Sequence, residues 1–451
     1  MSDSISDSSY MDVCGVMLEW DVATAASIAH SGTLIGGRWV LSIADTELLD
    51  EVGTAGVWVV SEDGGRARAD FRCSWALRPL PLGELRLRSA AASSDPALVL
   101  HRLPAGPEPG GPPLAVAVAR PERGAPLLLE ATPFAHPLLI NAWASGTVAA
   151  VAGPLFLADA AAAPGCQGAP VFLCREGERR QLLGLVLAPT AYWRGQPFHC
   201  AVVLALAGIR LEADALLPFH FVVSAHHGPV ALPRTVEGVV RVASGGGWGA
   251  GVHLGGGLVL TCSHVVSEAR EVEVRAGAAA WRARVLFAVP AGRAFDLALL
   301  QLPDRRALPP AVPLEDRPAV KGEPVLTAGY SAGPGGWRFG PATVCRGRVS
   351  LVARGALHTT CRVHAGDSGG AVLQPHTGRL LALIVCNVAA DEDADSRSLH
   401  PRVNMAVPVT AVAGTLRAFM QTRDLSILQQ LDCKDEAVQR EWRLDARRSS
   451  L

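Results

Sequence analysis

The sequence lacks an excess of charge of either sign. Its 451 residues include 41 Lys plus Arg and 42 Asp plus Glu, so the formal net charge is −1. Proteins that bind nucleic acids or anionic membranes usually carry a broad basic surface, and this balance argues against both kinds of partner. Charged residues are few, at 18%, whereas hydrophobic residues make up 49%. The chain therefore has enough apolar material for large cores and is not disordered as a whole.

Long hydrophobic runs and a secretory signal are missing as well. No run of about 18 apolar residues occurs, which argues against a membrane-spanning helix. Residues 1–12 are rich in Ser and Asp and lack the basic and then apolar pattern of a signal peptide. The ten cysteines include no CxxC pair, and His220, His226 and His227 fit no zinc spacing. We therefore expect an intracellular protein with reduced thiols, no metal and no cofactor.

Short apolar runs, bounded by Gly, Pro, Asp or Asn, dominate the chain. Their length and their content of Val and Leu are typical of β-strands, and few segments show the 3.6-residue period of a helix. We predict an all-β protein, sandwich or barrel, with a helix after about Pro408. The runs are 39–43, 97–100, 182–187, 258–262, 297–302, 381–388 and 406–409.

The two halves of the chain repeat one another. DPAL at 95–98 parallels DLAL at 296–299, and GCQG at 165–168 parallels GDSG at 366–369, both at an offset of 201 residues. Three further matched segments follow the same order, with offsets between 198 and 219. This order indicates a tandem duplication. The predicted organisation is a first domain at 1–216, a linker at 217–234, a second domain at 235–420 and a tail at 421–451.

Three residues of the second half suggest nucleophilic catalysis. His264 follows a predicted strand, Asp296 precedes another, and Ser368 lies in the Gly-rich turn GDSGG at 366–370. A serine hydroxyl needs an imidazole to accept its proton, and the imidazole needs an acid to fix its tautomer. The glycines allow the backbone amides of Gly366 and Ser368 to converge on the oxyanion of a tetrahedral intermediate.

The order His264, Asp296, Ser368, with GDSGG at the serine, resembles the chymotrypsin-fold serine proteases over about 236–419. This resemblance implies two β-barrels in each half of the chain and acyl transfer by a Ser-His-Asp triad. It also implies a specificity pocket, for which we predict Arg362, Val363, His364 and Asn387. Enzymes of basic specificity carry an acid where this chain has Arg362, so a preference for Lys or Arg is not implied.

The matched positions of the first half have lost the chemistry. The acid is kept as Asp95, but Asp45 replaces the histidine and Gln167 replaces the serine. Neither a base nor a nucleophile remains, so we interpret residues 1–216 as a catalytically dead copy. Such a copy is available for substrate binding, for docking or for restraint of the active half.

Two roles are open for Asp367, the residue before the serine. In trypsin zymogens the corresponding acid pairs with a new N-terminal amine, and residues 234–238 faintly resemble such a cleavage site before Val236. The interval from Val236 to His264 is only 28 positions, which is shorter than usual in that family. The other role is a local hydrogen bond within the turn.

The last residues, Ser449, Ser450 and Leu451, resemble the tripeptide that directs import into peroxisomes, with Ser450 in place of a basic residue. Together with two chymotrypsin-like halves, the first inactive, this ending is similar to the peroxisomal processing proteases, trypsin-domain enzymes related to the plant glyoxysomal processing protease. The segments that carry the resemblance are WGAGV at 248–252, TCSHV at 261–265, FDLA at 295–298, HAGDSGG at 364–370, EWRL at 441–444, PF at 133–134 and VAGPL at 151–155.

This family resemblance implies an endopeptidase of the peroxisomal matrix. Its substrates would be imported proteins, including those of β-oxidation, from which it removes targeting leaders. Self-cleavage, self-association and binding of the C-terminus to the import receptor are further implications. Two alternatives remain: a pseudoprotease that acts as a binding module, and a trypsin-like or HtrA-like quality-control protease of another compartment. Disulfides among Cys262, Cys345 and Cys361 would support the latter.

Overall fold

The computed structural model contains two compact units, one of residues 1–230 and one that begins at residue 231. The structure describes residues 13–20, 28–45, 57–60, 66–77, 85–86, 96–103, 114–175, 179–193, 196–209, 219–223, 232–245, 247–303, 308–331, 340–393 and 396–443.

The first unit is built from 17 described strands and three short 3-10 helices. In chain order the strands are β1 (Val13–Trp20), β2 (Ile28–Ile35), β3 (Trp39–Asp45), β4 (Val57–Val60), β5 (Arg66–Ala76), β6 (Leu85–Arg86), β7 (Pro96–Arg102), β8 (Leu114–Val118), β9 (Pro126–Ala131), β10 (Ala142–Ala152), β11 (Leu155–Ala158), β12 (Pro170–Leu173), β13 (Gln181–Ala188), β14 (Ala191–Trp193), β15 (Gln196–Phe198), β16 (Ala201–Ala205) and β17 (Phe219–Val223). The 3-10 helices are Pro133–Ala135, Pro137–Leu139 and Leu206–Gly208.

These strands form two closed rings. The first is a barrel in the order β1-β2-β3-β7-β5-β4. The second runs β12-β9-β10-β11-β16-β13, and β12 also pairs with β13, which closes it; β8 and β17 extend it from β13 through parallel pairs. β15, β14 and β6 make a small separate sheet. Strand β17 lies within the segment predicted as a linker, so the first unit includes the beginning of that segment.

The second unit has 12 described strands, three α-helices and three 3-10 helices. The strands are β18 (Val239–Ser244), β19 (Gly247–Gly255), β20 (Leu258–Thr261), β21 (Glu271–Ala276), β22 (Ala279–Ala288), β23 (Ala298–Gln301), β24 (Pro324–Gly329), β25 (Thr343–Val352), β26 (Leu357–Thr359), β27 (Ala371–Leu373), β28 (Leu380–Asp393) and β29 (Ser396–Pro408). The helices are α1 (Ser263–Val266), α2 (Ala413–Thr422) and α3 (Glu436–Arg443), with 3-10 helices Arg234–Gly238, Val409–Ala411 and Leu425–Leu431.

The second unit repeats the ring order of the first. Its barrels run β18-β19-β20-β23-β22-β21 and β24-β25-β26-β29-β28-β27. If the six strands of each ring are numbered in chain order, all four rings have the same cyclic order. This agreement is consistent with the duplication. The predicted all-β class, the paired barrels and the helix after Pro408, here α2, are confirmed. Among the described helices, none combines the length and the apolar character that crossing a bilayer demands.

Burial explains why the predicted strands read as apolar runs. All four residues of β20 are buried, and so are the first three of β23. A strand covered on both faces needs no polar alternation, unlike β21, where exposed Glu271 and Glu273 alternate with buried Val272 and Val274. The two barrels of the second unit share one hydrophobic cluster, which also includes residues of the tail.

The first barrel holds two buried histidines that sequence reasoning did not single out. His30 accepts a hydrogen bond from Trp20 Nε1 at 2.6 Å, and its Nδ1 lies 2.7 Å from the carbonyl oxygen of Ser31. His101 packs against the Trp20 ring, with centroids 5.1 Å apart. Burial, with a smaller contribution from His30, lowers the pKa of His101 to about 3. At the matched position, 201 residues later, the second unit has Leu302.

We predict that acid weakens the first unit through His101. In the unfolded chain a histidine binds a proton below its usual pKa of 6.5, whereas folded His101 stays neutral down to about pH 3. Between these values the unfolded state binds more protons, so the free energy of unfolding falls with falling pH, by at most about 1.4 kcal/mol per pH unit. Hydrogen exchange of peptides covering β7, measured from pH 7 to 4, tests this. The matched variant His101→Leu should show a shallower decline, and an equal slope in both proteins would contradict the prediction.

Candidate active site

Strand pairing brings His264 and Asp296 together. His264 lies on α1, directly after β20, and Asp296 lies two residues before β23. Because β20 and β23 are antiparallel, with Thr261 opposite Ala298, the end of one strand lies beside the start of the other. The backbone amide of Ser263 then donates to the Asp296 carbonyl at 3.3 Å.

The two side chains contact each other directly. Asp296 Oδ1 accepts the backbone amide of His264 at 3.0 Å, and Oδ2 contacts the ring atom Nδ1. This bidentate contact fixes the imidazole ring, with Nδ1 toward the acid and Nε2 on the opposite edge of the ring. The His264 side chain is 50% exposed and that of Asp296 is 25% exposed, so the pair is open to a ligand.

The GDSGG turn bridges both barrels of the second unit. Ser368 offers its carbonyl to the amide of Ala250 on β19, at 2.7 Å. Gly369 donates to the carbonyl of Ile384 on β28 at 2.8 Å, and the Ile384 amide donates to Gly370 at 2.8 Å. The serine is therefore held between the barrel that carries His264 and the barrel that carries β28.

The hydroxyl of Ser368 donates to the carbonyl of Val385 at 2.9 Å. Sequence reasoning missed Val385, because a backbone acceptor has no side-chain signature. Ser368 is half-buried, and rotation about its Cα–Cβ bond would redirect Oγ. Catalytic hydrogen bonds are often loose in ligand-free proteins, so this rotamer is compatible with a nucleophile at rest.

Gly366 can only be glycine. Its φ is +95°, and a Cβ there would lie 2.2 Å from the carbonyl oxygen of Tyr330 and 2.6 Å from Trp248 Nε1. Those two atoms are themselves hydrogen-bonded, at 2.9 Å. The predicted motif residue Trp248 thus packs beneath the turn and supports its conformation.

Asp367 is buried and takes part in local hydrogen bonds. Its carboxylate accepts the backbone amide of His364 at 2.9 Å and the hydroxyl of Ser331 at 2.8 Å. Burial raises the pKa of the Asp367 carboxyl to about 6, and these donors oppose the rise. Val236, the residue that a zymogen-like cleavage would expose, is buried in a 3-10 helix. The turn role of Asp367 is the one that these contacts support.

The four predicted pocket residues lie on two segments that contact each other. Asn387 Nδ2 donates to the carbonyl of Val363 at 2.7 Å, which places β28 beside the segment of Arg362 and His364. Val363 is buried, and His364 is 9% exposed, with its amide on Asp367. Within the described residues the Oδ1 atom of Asn387 has no hydrogen-bond partner.

Two thiols lie close to the acid. The donor atoms of Cys262, His264 and Asp296 lie within 4.8 Å of one another. Burial, and then Asp296, raise the pKa of Cys262 well above 9, and the same two causes raise that of Cys386. Cys262 stands two positions before His264, and this spacing is the one feature of the sequence that could have indicated that Cys262 lies near the site.

No disulfide among Cys262, Cys345 and Cys361 supports the alternative of a quality-control protease in another compartment. The Cys262 thiol donates to the carbonyl of Ile384 at 3.2 Å, and the Cys361 thiol contacts the carbonyl of Cys345 at 3.7 Å. These contacts are those of reduced thiols, and the alternative would need the same described cysteines to form disulfides.

The first unit contains the same turn with different side chains. Gly165 and Gly168 have φ of 92° and 77°, where Gly366 and Gly369 have 95° and 82°. The Gly168 amide donates to Val186 at 2.8 Å, as Gly369 does to Ile384. The backbone of the turn is therefore preserved.

Gln167 occupies this turn in place of a serine. Its Oε1 accepts the amide of Gly165 at 3.0 Å, the amide that matches Gly366 in the second unit. Ser31 holds the carbonyl of Gly165 through its amide, at 2.7 Å, and its hydroxyl, at 2.8 Å. Asp45 is on β3 without a described side chain, and Asp95 lies outside the described residues.

One family model matches part of the second unit. Residues 249–383 match the family model described as a trypsin-like peptidase domain. The second unit therefore carries a trypsin-like serine peptidase domain.

The chain is similar to the peroxisomal leader peptide-processing proteases of two mammals. The Homo sapiens protein is 34% identical over 367 residues, which is 75% of this chain and 63% of that protein. The Mus musculus protein is 32% identical over 378 residues, or 77% of this chain and 65% of that protein. This similarity confirms the family resemblance of the motifs, although the chain spans less than two thirds of either relative. A serine endoprotease from Yersinia pestis aligns with 22% identity and a TM-score of 0.36, over 44% of this chain and 69% of that chain.

We predict that Gly366→Ala strongly lowers the reactivity of Ser368 toward a fluorophosphonate probe. A Cβ would strike Tyr330, so the turn must move and its amides lose their alignment. Loss of one such donor typically costs about 100-fold. The matched control is Gly414→Ala on α2, where a Cβ meets nothing within 4 Å. Probe-labelling rates check this, and a folded Gly366→Ala protein with the wild-type rate would contradict it.

Proposed function

We propose that the second unit is a serine endopeptidase. The observation that carries the proposal is the bidentate contact of Asp296 with His264, on the barrel bonded to the turn of Ser368. In this assignment Ser368 is the nucleophile, His264 the general base, and Asp296 the acid that orients His264.

The reaction begins with a change of hydrogen-bond partner. The Ser368 hydroxyl leaves the carbonyl of Val385 and donates to Nε2 of His264. Since Nδ1 contacts Asp296, Nε2 is the atom that takes the proton while Oγ attacks the scissile carbonyl carbon. The carboxylate stabilises the resulting imidazolium.

The amides of Gly366 and Ser368 stabilise the tetrahedral oxyanion. Their alignment depends on the φ of +95° at Gly366 and on the anchoring of the turn. The imidazolium then protonates the leaving amine, and water releases the acyl-enzyme by the same route.

The edge of β28 supports a polypeptide substrate. The last pair between β27 and β28 joins Ala371 to Leu383, and β28 continues beyond it, with Cys386 and Asn387 paired to β29. The other edge at 386–387 is therefore suited to the main chain of an extended peptide. Arg362, Val363, His364 and Asn387 are then the proposed pocket residues beside the scissile bond.

The names of the two mammalian relatives suggest the biological substrates. We infer that the protein removes leader peptides from peroxisomal proteins in the matrix. Binding of an import receptor to Ser449, Ser450 and Leu451, which lie outside the described residues, belongs to this proposal. Self-association and self-cleavage belong to it as well.

The first unit is proposed to act without chemistry. Gln167 occupies the amide of Gly165 that would otherwise serve an oxyanion, so the turn is closed by its own side chain. Substrate binding, docking or restraint of the peptidase is the role left to it.

We predict that Ser368→Ala abolishes both probe labelling and peptide cleavage, because no other group supplies the nucleophile. His264→Ala should reduce the rate by several orders of magnitude. Both proteins should stay folded by circular dichroism. The absence of labelling in the wild-type protein would instead favour the pseudoprotease reading.

The matched control lies in the first unit. Gln167→Ala removes the side chain at the position equivalent to Ser368 and should leave the labelling rate unchanged. A large loss of turnover in this variant would show that the first unit takes part in the chemistry.

We predict that the wild-type protein, added to a peroxisomal matrix extract, creates new N-termini where leaders are removed. N-terminal sequencing of the products checks this, with the Ser368→Ala protein as the blank. Identical termini in both samples would overturn the assignment of substrates, though not that of the triad.

A further inference from the structure

The segment after α2 is part of the peptidase fold. It contains the 3-10 helix Leu425–Leu431 and helix α3, whose residues 441–443 belong to the EWRL motif. Leu428 and Leu431 are fully buried, and Val438 is 5% exposed. The triad chemistry described above uses none of these residues.

Helix α3 is hydrogen-bonded to a turn between β25 and β26, in the second barrel of the second unit. The Glu441 carboxylate accepts the backbone amides of Arg354 at 3.2 Å and Gly355 at 2.9 Å. The indole Nε1 of Trp442 donates to the carbonyl of Gly355 at 2.9 Å. Val438 packs so closely on Gly355 that a Cβ there would lie 2.3 Å from it. The helix is thereby fixed to the turn that precedes β26.

The same helix contacts the loop that carries the acid. The ring of Trp442 meets Phe295 edge to face, with centroids 6.4 Å apart, and Phe295 is 5% exposed. Phe295 directly precedes Asp296 in the chain. A second contact joins the same loop to the tail, because Arg293 Nε lies 3.4 Å from Asp432 Oδ1.

Asp296 lies outside the strands, so its position depends on contacts of its loop, among them the bond from the Ser263 amide to its carbonyl. The connection from β22 to β23 is irregular, and Asp296 lies within it. Within this connection the backbone amide of Val289 donates to the carbonyl of Leu297 at 2.8 Å. Phe295, the immediate neighbour of Asp296, is the residue whose ring contacts the tail.

We propose that Trp442 is a positioning residue: through Phe295 it fixes the loop of Asp296, so that the carboxylate orients His264. The inference rests on the proposed triad. It assigns a role to the EWRL motif. Helix α3 would then connect the loop of Asp296, in the β18–β23 barrel of the second unit, to the turn at Gly355, in the β24–β29 barrel of the same unit.

The test measures the rate at which a fluorophosphonate labels Ser368 as a function of pH, in the full chain. Trp442→Ala should slow labelling about tenfold, because small displacements of a catalytic group are costly. The acid limb of the pH profile should also move to lower pH, since a displaced carboxylate no longer stabilises the protonated imidazole. Arg440→Ala is the matched control, because Arg440 lies exposed on the same helix and its Nε donates to the carbonyl of Glu436, one turn back on that helix. This variant should keep the wild-type rate and profile.

Two further variants separate positioning from folding. Trp442→Phe keeps a ring against Phe295 and should restore the wild-type pH profile. If Trp442 acts through Phe295, adding Phe295→Leu to Trp442→Ala should slow labelling little more than Trp442→Ala alone does.

Several results would overturn the proposal. One is a folded Trp442→Ala protein with the wild-type labelling rate and pH profile. Another is a lower labelled fraction with an unchanged pH profile, because that result would show only a loss of folded protein. If Trp442→Ala does not fold, Trp442→Phe decides, and unfolding of both would make the role structural. Failure of the wild-type protein to be labelled would instead refute the triad itself, so the two failures are distinguishable.

Discussion

The hydrogen bond from the Ala250 amide to the Ser368 carbonyl is the constraint on which the site depends. It ties the GDSGG turn to the barrel that carries His264 and Asp296, while Gly369 ties the same turn to β28 in the other barrel. A turn held from both sides cannot drift relative to either set of groups. That approach requires glycine at 369, because a Cβ would lie 2.1 Å from the carbonyl of Ala250.

The duplication separates the geometry of the turn from its chemistry. Both units keep the positive φ angles and the bond to the neighbouring strand. In the first unit, however, the side chain of Gln167 accepts the amide of Gly165, which matches the amide of Gly366 in the second unit. The backbone of this turn is thus preserved in a unit that has no serine at the matched position. The buried histidines of the first barrel show the same divergence, since Leu302 stands where the first unit has His101.

Much of the architecture, and the residues of the proposed triad, could be predicted from the sequence. Apolar runs of strand length identified β20 and β23, and the GDSGG pattern identified the turn, because both signals are local. The acceptor of the Ser368 hydroxyl, the carbonyl of Val385, could not be predicted, since it has no side-chain signature. The contact of Trp442 with Phe295 was equally hidden, because it joins residues 147 positions apart.

The sequence by itself determined the β class, the duplication and which half keeps a serine, a histidine and an acid in order. These are properties of residue type and spacing, which folding does not alter. Only the tertiary structure decided that Asp296 grips His264 at two atoms, that Asp367 is satisfied within its own turn, and that the tail packs on the acid loop. Such contacts depend on barrel closure and side-chain packing, which bring distant segments together at distances that no spacing in the chain encodes.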